Sequence, residues 1–217
     1  MANNYPNLNP VNAYIWRIIH RDNLPWILRN GVHSRTSTLQ DPNYVNIGNR
    51  ELIDRRALRP VPIAPGGVLN DYVPFYFTPF SPMMYNIHTG RGEVTRRAND
   101  EIIILVSSIH RLAEQNLPFI FTDRHAYTPL AQYYSNLAQL NLIDWPLLQA
   151  RNFQRDPNDP VKIERYQAEA LVYRHLPINA LFGIICYSDS MKAQITQQSQ
   201  AAGLQLDIHA MPAWYFS

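Results

Sequence analysis

One glutamate stands in a position where a carboxylate needs a chemical reason. Glu169 lies in residues 167–173, QAEALVY, whose alternation predicts a β-strand. Its face of that strand is otherwise apolar, with Leu171 and Tyr173 as neighbours. A carboxylate on such a face is paired, exposed at the strand edge or functional. Taken alone, an ion pair with a neighbouring arginine explains Glu169 as well as a catalytic role does.

Three further side chains are of the kind that active sites use. Arg17 interrupts the apolar run 15–19, so it needs an anionic partner, either an internal carboxylate or a ligand phosphate. Arg56 is the second residue of an arginine pair, for which a solvated helix end is the ordinary explanation. His125 follows a predicted strand at residues 119–122, and strand ends carry sites more often than strand interiors do. A lone histidine there is still more often structural.

Several familiar sites are excluded by their missing motifs. The sequence contains no G-x-G-x-x-G for a dinucleotide-binding turn and no G-x-x-x-x-G-K-[ST] for a P-loop. It has no H-E-x-x-H, no clustered cysteine and histidine spacing, and no G-x-S-x-G. We therefore expect no metal site, and any NAD+ must bind in another kind of fold.

The composition limits the class of protein. No apolar run approaches the ~20 residues that span a bilayer, and the first ten residues lack a signal-peptide pattern. We expect a cytoplasmic protein without membrane contact, and the single cysteine, Cys186, precludes an internal disulfide. Among the 19 basic residues, all but Lys162 and Lys192 are arginine, which suits phosphate recognition and base stacking. The net charge of +2 is by itself a weak argument for nucleic acid.

The elements that must position these residues are short strands and short helices. Apolar runs and alternation predict strands over residues 13–19, 73–77, 102–106, 119–122, 167–173, 181–186 and 204–208. Helical spacing predicts helices over residues 24–30, 50–57, 128–140 and 190–202. Asn23 is expected to cap the first helix and Gly31 to end it. The mixture predicts an α+β fold with an antiparallel or split sheet, in one domain covering residues 1–217.

Four segments, in the same order and spanning nearly the whole chain, resemble the DarT family. They are WRIIHRDNLPWILRNG at 16–31, DYVPFYFTPFSPM at 71–83, FTDRH at 121–125 and RYQAE at 165–169. DarT proteins are toxins of toxin–antitoxin pairs that use NAD+ to ADP-ribosylate a base in single-stranded DNA. A macrodomain partner, DarG, removes the mark. The resemblance implies an ADP-ribosyltransferase-like fold, a split mixed or antiparallel sheet with flanking helices and NAD+ in the cleft.

The resemblance also assigns roles to individual residues. Glu169 matches the catalytic glutamate, Arg56 the catalytic arginine, and His125 a histidine beside the target base. The residues it implies as NAD+ contacts are Arg17, Ile18, His20, Asn23, Gly31, Arg56 and Tyr76. In some relatives a histidine stands at the position of Arg17, so arginine here would contact the pyrophosphate or a ribose instead.

The implied chemistry is transfer of ADP-ribose to thymine N3. Glu169 would remove the N3 proton as a general base and stabilise positive charge on the ribose. N3 lies on the Watson–Crick edge, so the base must be unpaired, which predicts a preference for single strands. The alternatives are a guanosine-directed enzyme, a protein-directed ADP-ribosyltransferase, a tRNA phosphotransferase-like enzyme and a non-catalytic nucleic-acid-binding module.

Overall fold

A long mixed sheet with short flanking helices forms the framework of the protein. The computed structural model describes residues 5–216. The strands are β1 Tyr14–His20, β2 Val32–His33, β3 Tyr72–Tyr76, β4 Ile102–Ser108, β5 Phe119–Thr122, β6 Tyr133–Tyr134, β7 Glu169–Tyr173, β8 His175–Leu176, β9 Gly183–Cys186 and β10 Asp207–Ala210. The helices are α1 Leu24–Asn30, α2 Arg50–Arg56, α3 Pro82–Thr89, α4 Ile109–Glu114, α5 Trp145–Ala150, α6 Lys162–Arg165 and α7 Asp189–Ala201.

The strand order makes the sheet two halves joined at one seam. Within residues 5–216 the order is β10-β9-β4-β1-β3-β7-β5-β6, and β2 pairs separately with β8. All neighbours in the long sheet are antiparallel except β9 and β10, which are parallel. This confirms the predicted α+β class and its predominantly antiparallel sheet.

The seam between β1 and β3 is the split. These strands pair only at Trp16 and Tyr76, whereas β1 pairs with β4 along its whole length. Pro74 on β3 has no N–H to donate, and its carbonyl oxygen accepts instead from Arg17 Nη1 at 2.8 Å. The proline therefore interrupts the ladder, and an arginine side chain occupies the place of a backbone donor.

The two faces of β7 behave as the alternation predicted. Ala170 and Val172 belong to the main apolar core, which the sheet forms with the flanking helices. Leu171 packs in a smaller apolar cluster with Tyr72 and Ile120, and Tyr173 lies against it. Glu169 therefore lies at the end of a strand that is buried on both sides.

The predicted helix over residues 128–140 is wrong. Tyr133 and Tyr134 form β6 and pack against the smaller cluster and the main core respectively, so their side chains follow strand geometry. Asn136 then starts a 3-10 helix over Leu137–Leu142, with its side chain accepting from the Ala138 N–H at 2.9 Å. Helical spacing of apolar residues arose here from two separate elements.

Smaller predictions also changed. Asn23 does not cap α1, because its side chain makes two hydrogen bonds, 2.9 and 2.8 Å long, with the backbone of Val45. The late strand begins at Asp207 rather than 204, since the Leu204 N–H closes the end of α7 through Ser199 O. The predictions for β1, α1, α2 and β5 are confirmed to within one residue.

Gly31 ends α1 as predicted. Its φ of 74° lies in the left-handed region, and its N–H bonds Ile27 O at 2.8 Å. A Cβ there would collide with the Leu176 carbonyl oxygen on β8. The glycine therefore lets β2 turn directly into its pairing with β8.

Among the helices in the described range 5–216, none has the length and apolar character that a membrane crossing requires.

Candidate active site

Glu169 is the centre of a buried polar cluster at the end of β7. Its side chain is 2% exposed. Arg56 Nη1 lies 3.1 Å from Oε1 and 3.0 Å from Oε2 of this carboxylate. The Ala126 N–H donates to Oε1 at 2.9 Å. These charge-assisted hydrogen bonds fix the orientation of the carboxylate.

Helix α2 delivers Arg56 to this carboxylate. Asn49 caps the helix by accepting from the Leu52 N–H at 2.8 Å, and Arg56 is its last residue. The guanidinium is buried, yet its Nη2 has no hydrogen-bond partner. A buried donor without a partner is costly, and Arg56 lines a cavity beside this cluster, so this N–H is available to an acceptor there.

His125 completes the cluster in a defined tautomer. Its Nδ1 accepts from the Tyr127 N–H at 3.2 Å, so a neutral ring carries its proton on Nε2. The distance from Nδ1 to Glu169 Oε1 is 3.6 Å, too long for a hydrogen bond. Burial lowers the pKa of His125 despite the opposing effect of Glu169. The ring is therefore neutral near pH 7, with an N–H donor available at Nε2.

Backbone contacts hold the carboxylate and the histidine together. Thr122 Oγ1 accepts from the Glu169 N–H at 3.2 Å and donates to Arg124 O at 2.6 Å. The His125 N–H bonds Glu164 O at 3.0 Å. The loop after β5 and the start of β7 thus form one hydrogen-bonded unit.

A cavity of about 710 Å³ opens beside this cluster. Its volume lies within the range of about 300–1,000 Å³ that is usual for small-ligand sites. The predicted site residues that line it are Arg17, Ile18, Arg56, Tyr76, His125 and Glu169. They come from β1 on one side of the split and from β3, α2, β7 and the loop after β5 on the other. The split therefore creates the cavity.

Arg17, which also lines this cavity, has one side-chain donor without a partner in the protein. Its Nη1 holds Pro74 O, but its Nε is buried and has no hydrogen-bond partner. Tyr76 pairs with Glu169 in the sheet, and burial, followed by the Glu169 charge, raises the pKa of its hydroxyl well above the usual value. Tyr76 thus stays a neutral phenol in the cavity wall.

Three residues predicted as NAD+ contacts do not line the cavity. His20 Nε2 lies 3.4 Å from Glu101 Oε1, and its Nδ1 accepts from the Asp22 N–H. Asn23 holds Val45, which precedes the cavity-lining Asn46 and Ile47. Gly31 precedes Val32 and His33, which do line it. Asn23 and Gly31 therefore support residues of the cavity wall without lining it, and His20 does neither.

Sequence reasoning missed several contributors to the site. The Ala126 contact to Glu169 is made by a backbone N–H, which no side-chain pattern predicts. Thr122 was predicted only as part of the strand over residues 119–122, not as a partner of Glu169. Gln167, Trp26 and Tyr44 also line the cavity. Gln167 lies in the turn before β7, which begins at Glu169 and not at residue 167 as predicted, so strand alternation does not explain its place in the cavity wall. In residues 5–216, no three His, Cys, Asp or Glu side chains are grouped as a metal site would require.

A split mixed sheet, with a buried glutamate and arginine at the end of a central strand beside the cleft, defines the ADP-ribosyltransferase class of fold. Comparison with known proteins agrees. A family model described as "ssDNA thymidine ADP-ribosyltransferase, DarT" matches residues 16–216. The chain therefore belongs to the DarT family, and it is an NAD+-dependent DNA ADP-ribosyltransferase.

Individual relatives support this membership over the full length. A DNA ADP-ribosyl transferase of Escherichia coli O127:H6 is 56% identical, with 100% of both chains covered. The structure of Thermus sp. 2.9 DarT in complex with ADP-ribosylated ssDNA has a TM-score of 0.87 at 31% identity, covering 100% of both chains. Thermus sp. 2.9 DarT in complex with NAD+ gives 0.82 at 31% identity, covering 96% of this chain and 100% of that one.

Proposed function

We propose that this enzyme transfers ADP-ribose from NAD+ to N3 of a thymine in single-stranded DNA. The observation that carries the proposal is the buried Arg56–Glu169 pair, whose arginine keeps one unpartnered donor beside the 710 Å³ cavity. A buried ion pair is a weak source of stability, which favours a chemical reason for its presence. The matching family model, whose description names thymidine, supports the choice of base.

Glu169 is the general base in this proposal. Arg56 and the Ala126 N–H hold its carboxylate in one orientation. The carboxylate is therefore preorganised to accept the N3 proton, with no loss of side-chain entropy at that step. Its charge also stabilises positive charge that develops on the ribose. Arg56 Nη2 is the donor for a base carbonyl, where it stabilises the anion left by proton removal.

NAD+ fits the cavity through donors that lack partners in the protein. NAD+ supplies the ADP-ribosyl group, with nicotinamide as the leaving group. We assign Arg17 Nε to an anionic or hydroxyl oxygen of NAD+, because this buried N–H has no other acceptor. Ile18 and Tyr76 form the adjoining wall. Asn23 and Gly31 act from outside the cavity, since they lie against or beside segments that line it, whereas His20 contacts Asp22 and Glu101 away from the cavity wall.

His125 is assigned to the target base. Its neutral ring offers the Nε2–H as a donor to a base carbonyl, while its Nδ1 is occupied by the Tyr127 N–H. The base must leave any duplex to reach N3, and extrusion costs a few kcal/mol. Single-stranded DNA avoids that cost and is the proposed partner. The structure of Thermus sp. 2.9 DarT in complex with ADP-ribosylated ssDNA supports this choice.

Family membership further supports a role as the toxin of a toxin–antitoxin pair. The proposed partner is a macrodomain antitoxin of the DarG type, which removes ADP-ribose from DNA. We also propose that residues 1–217 form a single domain, since β1 pairs with β4 and β4 with β9 across the chain. The proposed reaction uses no metal cofactor. Both proposed co-substrates, NAD+ and DNA, place its action in the cytoplasm.

The decisive experiment measures which base gains the mass of ADP-ribose. The purified enzyme is incubated with NAD+ and with matched oligonucleotides that lack thymine or lack guanine, and each product is analysed by mass spectrometry. We expect modification of single strands that contain thymine, and far less of the same sequence in a duplex. Modification that persists without thymine and vanishes without guanine would replace thymine by guanine. Modification of protein alone would contradict the DNA substrate.

A further inference from the structure

The hydroxyl of Tyr133 reaches from β6 to the loop that carries His125. It donates to the Ala126 carbonyl oxygen at 2.5 Å. The backbone of Tyr133 is fixed independently, because it pairs with Thr122 on β5. Burial, as the largest effect, raises the pKa of the Tyr133 hydroxyl, so it remains a donor.

The peptide group between residues 126 and 127 connects this tyrosine to the histidine. Its carbonyl accepts from Tyr133, and its N–H, that of Tyr127, donates to His125 Nδ1 at 3.2 Å. A peptide group is planar, so a rotation that breaks one of these hydrogen bonds also breaks the other. Hydrogen bonds in such a series also polarise one another.

Hydrogen bonds fix the loop on either side of this peptide group, so the peptide group is the part of the loop that can rotate. The His125 N–H bonds Glu164 O at 3.0 Å, and the Thr128 N–H bonds His125 O at 3.0 Å. Ala126 is fully buried, so its carbonyl without the Tyr133 hydroxyl would be an unsatisfied acceptor. Rotation of the peptide group toward another donor would then release His125 Nδ1.

We infer that Tyr133 is a positioning residue that fixes the tautomer and orientation of His125 through the 126–127 peptide group. With Nδ1 held as an acceptor, Nε2 carries the proton and donates toward the cavity. Tyr133 itself does not line the cavity, so it acts through the loop and not by touching a ligand. Ala126 also donates its N–H to Glu169 Oε1, so the test requires a signal that reports on His125 itself. The inference rests on the proposed placement of His125 beside the target base.

Tyr133→Phe tests this directly, because it removes the hydroxyl and keeps the ring. Nitrogen-15 NMR of the imidazoles, with His125→Asn used to assign the signal, reports the tautomer of His125. We expect a single Nε2–H tautomer in the parent and a mixture of tautomers in Tyr133→Phe. Tyr134→Phe is the matched control, since its ring packs on Phe121 with a centroid distance of 5.5 Å and lies outside this relay. An unchanged His125 signal in Tyr133→Phe would overturn the inference.

Kinetics give the second measurement. Loss of one hydrogen bond predicts that kcat for DNA modification falls about three- to tenfold in Tyr133→Phe, with KM for NAD+ unchanged. In a His125→Asn background the same change should cost nothing further, because the two residues act as one unit. An equal loss in both backgrounds would make Tyr133 merely structural. The NMR result needs neither DNA nor transfer, so it stands apart from failure of the proposed substrate.

Discussion

The two halves of the sheet have opposite characters. In β10-β9-β4-β1, the central strand β4 has an unbroken apolar run, Ile102 to Val106, with neighbours on both sides. In β3-β7-β5-β6, the strand β7 begins with a buried carboxylate that is paired with an arginine. Continuous apolar strands supply stability, whereas a buried charge requires specific partners. The comparison teaches that the residues proposed for proton transfer lie on one side of the split and the longest apolar strand on the other, with β1 contributing Arg17 and Ile18 to the cavity between them.

The largest expected effect comes from the chemical half. Glu169→Gln keeps the size of the side chain and an acceptor for the Ala126 N–H, but it removes the base and the negative charge. We expect DNA modification to fall about 10²–10³-fold or more, because such preorganised groups contribute that much. Mass analysis of the oligonucleotide measures the rate, and calorimetry checks that NAD+ still binds. Because Arg56 loses its buried counter-charge, the free energy of unfolding should fall by about 3–5 kcal/mol, so the rate is measured at a temperature where thermal unfolding shows the variant to be folded. Near-parental modification would contradict the assignment of Glu169.

A substitution in the strands β10-β9-β4-β1 should lower the stability of the protein and leave the rate of DNA modification nearly unchanged. Ile104 is fully buried and pairs with Ile18 and Ile185 on the two flanking strands. Ile104→Ala should lower the free energy of unfolding by about 2–5 kcal/mol through the lost contacts and the cavity. At a temperature where the variant is folded, kcat should be close to parental.

Val106→Ala is the control for Ile104→Ala. It lies on the same strand but is only partly buried, and it should cost less in urea unfolding. A large fall in kcat for folded Ile104→Ala would show that the two halves are not separable.

The smallest effect concerns pH. Burial lowers the pKa of His125 from its ordinary value of 6.5, so its protonation begins only as pH falls below that value. A protonated Nδ1 can no longer accept from the Tyr127 N–H and would instead pair with the Glu169 carboxylate, 3.6 Å away. We therefore expect kcat/KM to be still level at the ordinary histidine pKa and to fall only at lower pH, by up to about tenfold per pH unit.

His125→Asn checks which group causes this acid limb. Asparagine retains a donor and an acceptor but does not titrate in this range. Its profile should lose the component assigned to His125 and keep any fall that belongs to other groups. An identical acid limb in parent and variant would assign the limb elsewhere.

The local sequence pattern was enough to predict several secondary-structure elements of this protein. The alternation of residues 167–173 gave both faces of β7 correctly, although the strand begins only at Glu169, and the apolar runs located β1, β4 and β5. Resemblance of four segments supplied the family, and with it the expectation of a split sheet. The same local reasoning failed at residues 128–140, because apolar spacing does not distinguish one helix from a strand followed by a 3-10 helix.

The site itself was decided by the tertiary structure. Arg56 and Glu169 are 113 positions apart, and nothing in either local sequence reports the 3.0 Å contact between them. The Ala126 N–H and the Tyr133 hydroxyl depend on how a loop and a two-residue strand pack against β5 and β7. A sequence pattern determines which face of an element is apolar, because side-chain direction repeats every two residues in a strand and every 3.6 in a helix. Hydrogen bonds between distant segments have no such period, so only the folded chain determines that Glu169 meets Arg56 and Ala126 beside the split.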